Sequence, residues 1–545
     1  MESILNNKKL IVLFSFIVLI SSCITKTKND EIFGVVTAAT PEASIAGEQI
    51  FLRGGNAIDV AVAVSFALGV TEPAMSGLGG GTQVLLSIKN LPPISINGTT
   101  LSPASTPTHI KDTLTYHRRS TIPSTVKVLD YIWRKYGSGK ISWEELLKPA
   151  IELAEKGFSL GEFRAKVYEQ SKNKLLESHF NTSFFLSNGR NIPKTGDIIK
   201  QPQLAKTLKR LAAYGANDFY NGIIAKEIAQ DMKMNGGWIT LNDLQNFPAP
   251  KELTPLSINY NGFEVYSQPP PCGGWTTLLI LNLLEQITNN KVISDEDIIK
   301  ALYLVHNDRE NKPITNLLHY DSIVNIKLSN EYADKLLQEK AFFDMKKEEE
   351  GSGETTHFSV VDSEGNAIAV TSSINAFFGG LAASKELGFL YNTYMDDFIF
   401  EDPDHPFAIR PNAMAYSSMS PTIVQEKGEN VLVIGSPGSS RIISSVAQIT
   451  AKWIENRNIN KLIKTPRIHV SKNYIYMESK KDTGLIDLDF IKNFDLKFKI
   501  PNENLMNNNL NPYYGGIHAI AKEHKIWVGV ADPRRDGKVN VTYKN

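Results

Sequence analysis

Apolar runs punctuated by glycine and proline mark out the elements of this chain. Residues 54–69, Gly-Gly-Asn-Ala-Ile-Asp-Val-Ala-Val-Ala-Val-Ser-Phe-Ala-Leu-Gly, are apolar nearly all round over helical length, which predicts a buried helix. The glycine run at 77–81 follows. It predicts close backbone approach beside a site, and not a phosphate loop, because no Lys-Ser/Thr ending is present. Helical spacing recurs from 125 to 136. It opens again at Ser142, where Ser142 and Glu145 form a capping box, and ends at Gly157. Pro149 predicts a kink or a division in that helix. Residues 204–215, 223–232 and 276–286 also read as helices, the last behind a rigid Pro-Pro-Pro-Cys-Gly-Gly turn at 269–274. A charged and then Gly/Ser-rich stretch at 344–354 reads as a mobile linker. Beyond it hairpins are predicted at 357–373, turning at 362–366, at 422–434, turning at Lys427-Gly428, and at 518–530, turning near Glu523-His524. Helices dominate before residue 340 and strands after it.

Composition narrows the class. The chain has 545 residues, room for one large domain or two to three ordinary ones, and 42% hydrophobic with 21% charged residues is the balance of a soluble globular protein. A formal net charge of +0 argues against nucleic-acid binding, which needs a basic footprint. Lys8 and Lys9, an apolar run at 10–20 and Ser21-Ser22-Cys23 read as a secretory signal, since the run is short for a membrane-anchor helix. Ile20-Ser-Ser-Cys23 resembles a bacterial lipobox. That implies loss of residues 1–22, a lipid on Cys23 and a periplasmic or cell-surface lipoprotein. Cys272 is the other cysteine, so no intramolecular disulfide is expected, and a packing role is expected for it.

The chemistry concentrates at the junction of linker and first hairpin, Thr355-Thr-His357. A hydroxyl residue opening a buried strand behind a loose linker acquires a second function if the chain is cut before it. Its free α-amine, with a pKa of roughly 7.7–8.0, can serve as base for its own hydroxyl. Standing alone, the tripeptide is two strand-forming threonines in a surface hairpin.

Further blocks identify the chain as resembling the γ-glutamyltranspeptidases, of the N-terminal nucleophile hydrolase superfamily. They are Gly54-Gly-Asn-Ala-Ile-Asp59, Gly77-Leu-Gly-Gly-Gly81, Leu146-Leu-Lys-Pro-Ala-Ile151, Pro269-Pro-Pro-Cys-Gly-Gly274, Met395-Asp-Asp-Phe398, Ser417-Ser-Met-Ser-Pro421, Gly435-Ser-Pro-Gly-Ser-Ser-Arg441 and Asp532-Pro-Arg-Arg535, in that order. The resemblance implies an α+β fold, a four-layer αββα sandwich autoprocessed at Glu354–Thr355 into a large subunit, 23–354, and a small one, 355–545. It implies Thr355 as nucleophile, Ser373 as the hydroxyl beside its amine, and Gly438 and Ser439 as the oxyanion hole. It further implies Asn375 and Asp397, with Tyr394 nearby, at the donor's α-amine, and Ser417 and Ser418 at its α-carboxylate. No metal or cofactor is expected. The expected partners are a γ-glutamyl donor such as glutathione, water or an amino-acid acceptor, and the two subunits for each other.

Two substitutions depart from the family at substrate recognition, and one is Tyr394, which stands where the family often has Gln or Glu near the α-amine. Thr99 stands where the family carries an arginine for the α-carboxylate, and Arg441 or Arg535 are candidates to replace it, as arginines at these positions contact substrate in related capsule poly-γ-glutamate depolymerases. Two alternative functions therefore accompany the γ-glutamyl reading. One is an N-terminal-threonine amidase with another acyl donor, such as poly-γ-glutamate or an acylated β-lactam. The other is an unprocessed, ligand-binding lipoprotein.

Overall fold

The computed structural model describes residues 31–110, 112–180, 182–289, 291–338, 354–478, 496–501 and 510–544. The signal region, Cys23 and residues 339–353, which include nearly all of the linker, lie outside the described residues. No described helix is long and apolar enough to cross a membrane.

Two antiparallel sheets form the middle of the molecule. Their strands, in chain order, are β1 (Ile32–Ala38), β2 (Gly81–Ser87), β3 (Ile94–Asn97), β4 (Lys251–Leu253), β5 (Leu256–Tyr260), β6 (Phe263–Ser267), β7 (Glu354–Asp362), β8 (Ala367–Asn375), β9 (Thr422–Glu426), β10 (Glu429–Gly435), β11 (His518–Glu523), β12 (Ile526–Ala531) and β13 (Lys538–Tyr543). The first sheet has the order β13-β1-β7-β8-β2-β3-β4 and the second β12-β11-β10-β9-β6-β5. Helices α1 (Pro41–Leu52), α2 (Ala57–Thr71), α3 (Thr125–Tyr136), α4 (Trp143–Lys156), α5 (Pro202–Tyr214) and α6 (Ile223–Met234) belong to the layer on the first sheet. Helices α7 (Gly274–Thr288), α8 (Asp295–Asn311) and α9 (Arg441–Asn456) cover the second.

The period-two side-chain alternation of a strand separates three cores. On β7, Phe358 and Val360 point to the helices of the first layer, while Val361 joins Val35, Ala369, Ile423, Val433 and Ile520 between the sheets. Trp275, Leu302, Val446 and Trp453 fill the space between the second sheet and its helices. Each large apolar side chain so buried contributes about 1.5–3 kcal/mol. The result is the four-layer αββα sandwich.

The predicted helices and all three hairpins are present, with positive φ at Lys427, Gly428, His524 and Lys525 in the turns. One expectation needs correction. Pro149 sits inside a continuous α4 and does not divide it. The bond its missing N–H forfeits is to Glu145, in a first turn already held by the Ser142–Glu145 capping box. The division into a helix-rich first part and a strand-rich second part holds in proportion, although the strands β1–β6 precede the linker without a readable pattern. Strand β2 is buried along its whole length and β3 and β4 are 4 and 3 residues long, so they show no alternation to read.

Candidate active site

The site is built at one end of the β7–β8 hairpin. Thr355 lies near the start of β7, a central strand of the first sheet. Opposite it, the pairing of β8 slips between Ser372 and Asn375, and Asn375 takes φ 78°, a left-handed conformation that asparagine tolerates. That bulge brings Ser373 onto the Glu354–Thr355 peptide. Ser373 Oγ donates to the Glu354 carbonyl oxygen at 2.6 Å and accepts from the Asn375 N–H at 2.7 Å. The Thr355 hydroxyl donates to Ser373 Oγ at 3.4 Å. The Thr355 hydroxyl and the Glu354 carbonyl thus share one hydroxyl. The glycine run makes this approach possible: a Cβ on Gly80 would lie 2.3 Å from the Ser373 carbonyl oxygen.

A cavity of about 70 Å³ opens on Thr355, walled by Ser373, Asn375, Tyr394, Asp397, Tyr416, Ser417, Ser418, Met419, Ser439 and Ile442. Eight of the site residues named from the sequence, Thr355, Ser373, Asn375, Tyr394, Asp397, Ser417, Ser418 and Ser439, therefore converge on one small space. Tyr394 and Asp397 come from a 3₁₀ turn, Tyr394–Asp397. Asn375 Nδ2 donates to Asp397 Oδ1 at 3.2 Å. Burial pushes the Asp397 carboxyl up to about 8, with Asn375 pulling it down and Asp396 pushing it up. Asp396 is itself paired with Arg119.

Also on the cavity wall, Ser417 Oγ accepts from the Met419 N–H at 3.2 Å and Ser418 Oγ accepts from Arg309 at 3.3 Å. Behind them the chain turns through Gly438, φ 121°, and Ser439, φ 55°, into the start of α9. A serine in the left-handed region costs roughly 1 kcal/mol, which is why glycine is at home there. The turn leaves Ser439 on the cavity wall, while Gly438 lies behind it against Gly515.

Three named residues lie elsewhere. Thr99 accepts from Gln83 Nε2 at 2.8 Å and borders a different cleft, of about 890 Å³, with Phe247, Asp321 and Arg410. Arg535 and Arg441 close on the buried Glu354 carboxylate at 2.9 and 3.8 Å, and Arg535 also donates to the Thr355 carbonyl at 3.3 Å. Neither arginine lines the cavity.

Neighbouring groups that could compete for the chemistry are held inert. His357 points between the sheets, bonded to Thr371 and Ser359, and burial keeps it neutral, well below the usual histidine range. Burial pushes the Cys272 thiol up to about 12, the state of a packing residue. Thr356 donates to Glu72 at 2.6 Å, and burial raises that carboxyl to about 7 against the pull of Arg535. Sequence reading missed Tyr416, Met419, Ile442 and Arg309. None of these left a local trace, and Arg309 is one of seven charged residues in its helix.

A double antiparallel sheet between helical layers, with a hydroxyl residue at the head of a central strand, defines an N-terminal nucleophile hydrolase. A cephalosporin acylase from Bacillus halodurans shares that fold, with a TM-score of 0.80 and 22% identity over 94% of this chain and 96% of that one. The family model for gamma-glutamyltranspeptidase matches residues 43–542. The glutathione hydrolase proenzyme of Escherichia coli is 35% identical over 474 residues, 80% of each chain. That of Bacillus subtilis is 31% identical over 551 residues, 92% of this chain and 90% of the other. The chain belongs to the γ-glutamyltranspeptidase family, and with it goes that family's chemistry, hydrolysis and transfer of γ-glutamyl groups by an autoprocessed enzyme.

Proposed function

We propose that Thr355 first cuts its own chain and then cleaves γ-glutamyl amides of the glutathione type. In the precursor, the Thr355 hydroxyl attacks the Glu354 carbonyl carbon, whose oxygen Ser373 polarises. The Glu354–Thr355 amide nitrogen leaves with a proton as the new α-amine, and the acyl group passes to oxygen as an ester. Water then hydrolyses the ester, freeing the Glu354 carboxylate and the Thr355 hydroxyl. The large subunit becomes 23–354 and the small one 355–545.

In the mature enzyme the α-amine takes the hydroxyl proton as Thr355 attacks the donor's γ-carbonyl. The backbone N–H groups of Gly438 and Ser439 stabilise the oxyanion, so a serine side chain at 439 is no obstacle. The proton passes to the leaving amine, and water or an amino acid then accepts the glutamyl group. Asp397 and Asn375 hold the donor's ammonium, with Tyr394 packed beside them. Ser417 and Ser418 hold its carboxylate. The lipobox resemblance places the enzyme in the bacterial envelope, anchored through a lipid on Cys23.

The observation that carries this reading is the convergence of Thr355, Ser373, Asn375, Asp397, Ser417 and Ser418 on one cavity. Neither alternative, the different acyl donor or the unprocessed binding protein, has an observation of that weight behind it. Intact mass and N-terminal sequencing of the purified protein, with a chromogenic γ-glutamyl anilide assay, test it. Fragments starting at Cys23 and Thr355 with anilide release are expected. A chain continuous through 354 and 355 that still releases the anilide would reassign the machinery.

A further inference from the structure

The carboxylate end of the cavity has a charge behind it that no motif pointed to. Helix α8 is buried along most of its length, and Asn307, Asp308 and Arg309, near its end, are all buried. The Arg309 guanidinium lies 4.3 Å from the Tyr416 ring and 6.0 Å from the Trp275 ring. It donates to Thr276 Oγ1 at 3.0 Å, to the Ser417 carbonyl at 2.9 Å and to Ser418 Oγ at 3.3 Å. Every one of these acceptors is neutral. Among the described residues no carboxylate forms an ion pair with Arg309. Of the two acids that flank it in the chain, Asp308 is taken by Lys327 and Glu310 is exposed.

A buried cation without an anion is costly, by several kcal/mol, unless something anionic completes it. The hydroxyl bonding shows where that anion goes. Ser418 Oγ accepts from Arg309 and Ser417 Oγ accepts from the Met419 N–H, and among the described residues neither serine has an acceptor for its own proton. Both serines line the cavity. Two hydroxyl protons are thus left to donate to the two oxygens of one carboxylate, with a guanidinium directly behind them.

The geometry points to Arg309 as the positioning residue that makes this wall selective for a carboxylate: it orients Ser418 and supplies the positive charge for the donor's α-carboxylate. Arg309 acts through Ser417 and Ser418 and does not line the cavity itself. Thr99 is bonded to Gln83 at another cleft, and Arg441 and Arg535 are closed on Glu354. The inference rests on the assignment of Ser417 and Ser418 to the donor carboxylate.

The test uses processed enzyme and two anilides, γ-glutamyl and 4-aminobutyryl, which differ by the α-carboxylate alone. Wild-type enzyme should prefer the first. Arg309→Gln should raise KM for the γ-glutamyl anilide roughly 10- to 100-fold, the range set by one charge-assisted hydrogen bond, with kcat within about threefold. The 4-aminobutyryl anilide should be unmoved. Arg309→Lys, which keeps the charge but not the forked contacts, should retain part of the preference, and it serves as the readout if the glutamine variant stays uncut. An equal loss on both anilides, in either variant, would mean a merely structural arginine and overturn the inference. A wild-type preference that survives intact in Arg309→Gln would overturn it as well while leaving the serine assignment standing. Wild-type enzyme indifferent to the carboxylate would overturn both.

Discussion

Two arginine settings flank the nucleophile, and they differ in charge balance. On one side Arg535 and Arg441 are closed on the Glu354 carboxylate, so the ion cluster is complete within the uncut chain. On the other side Arg309 meets only neutral oxygens. A completed cluster fixes the chain at the peptide to be broken. An incomplete one leaves an attraction for something that is not protein. In the proposed function, the difference separates the work of maturation from the work of catalysis around the same threonine.

Four measurements sharpen or break that contrast. Thr355→Ala removes the group common to both tasks: the purified protein should run as one uncut chain on a denaturing gel and lose at least about 10³-fold in anilide release. Ser373→Ala touches the maturation side first, because it removes the donor to the scissile carbonyl. Loss of one such donor costs roughly 10²–10³-fold in rate, so fragment appearance over time should slow by that factor. Unchanged fragment kinetics would show that Ser373 is a bystander.

Glu354→Gln strands two buried guanidinium groups. In a Thr355→Ala background, where the precursor persists, denaturant unfolding should show a loss of roughly 3–5 kcal/mol. An unmoved midpoint would mean the cluster carries no net energy.

The smallest effect is in pH. Asp397 is raised by burial to about 8, so in the free enzyme it is mostly protonated below that pH and cannot hold an ammonium as an anion. Affinity for an amine-bearing donor therefore rises as pH climbs from about 6 to about 8, by up to roughly tenfold per unit. The Thr355 amine adds its own rising limb over a similar range. A glutaryl anilide, which lacks the α-amine, should show that limb alone, and Asp397→Asn should remove the difference in slope between the two substrates.

How legible this was from the chain varies with the distance over which each feature is built. The β7–β8 hairpin could be read directly, because Phe358 to Val361 and Ala367 to Val370 are apolar runs flanking a turn-forming Asp362–Asn366 segment. The glycine run was legible as close packing, and Thr355 as a nucleophile once neighbouring motifs gave it context. The serines, Asn375 and Asp397 were found by resemblance to a family, not by any local pattern. What could not be read was set by contacts across the fold. Glu354 and Arg535 are 181 positions apart and Arg309 and Ser418 are 109 apart, and nothing in their local sequences announces either pairing. Thr99 illustrates the reverse error. Its alignment pointed to the carboxylate, while its Gln83 bond and its cleft put it elsewhere.

The order of the first sheet has a consequence for the molecule after it is cut. Reading across, β13 comes from behind the break, β1 from ahead of it, β7 and β8 from behind, and β2, β3 and β4 from ahead. The two polypeptides are shuffled like cards from two hands. Neither can be withdrawn without tearing ladders on both sides, so they should melt in a single transition. Fragments mixed from denaturant should reassemble poorly, since the pattern was laid down while they were still one thread.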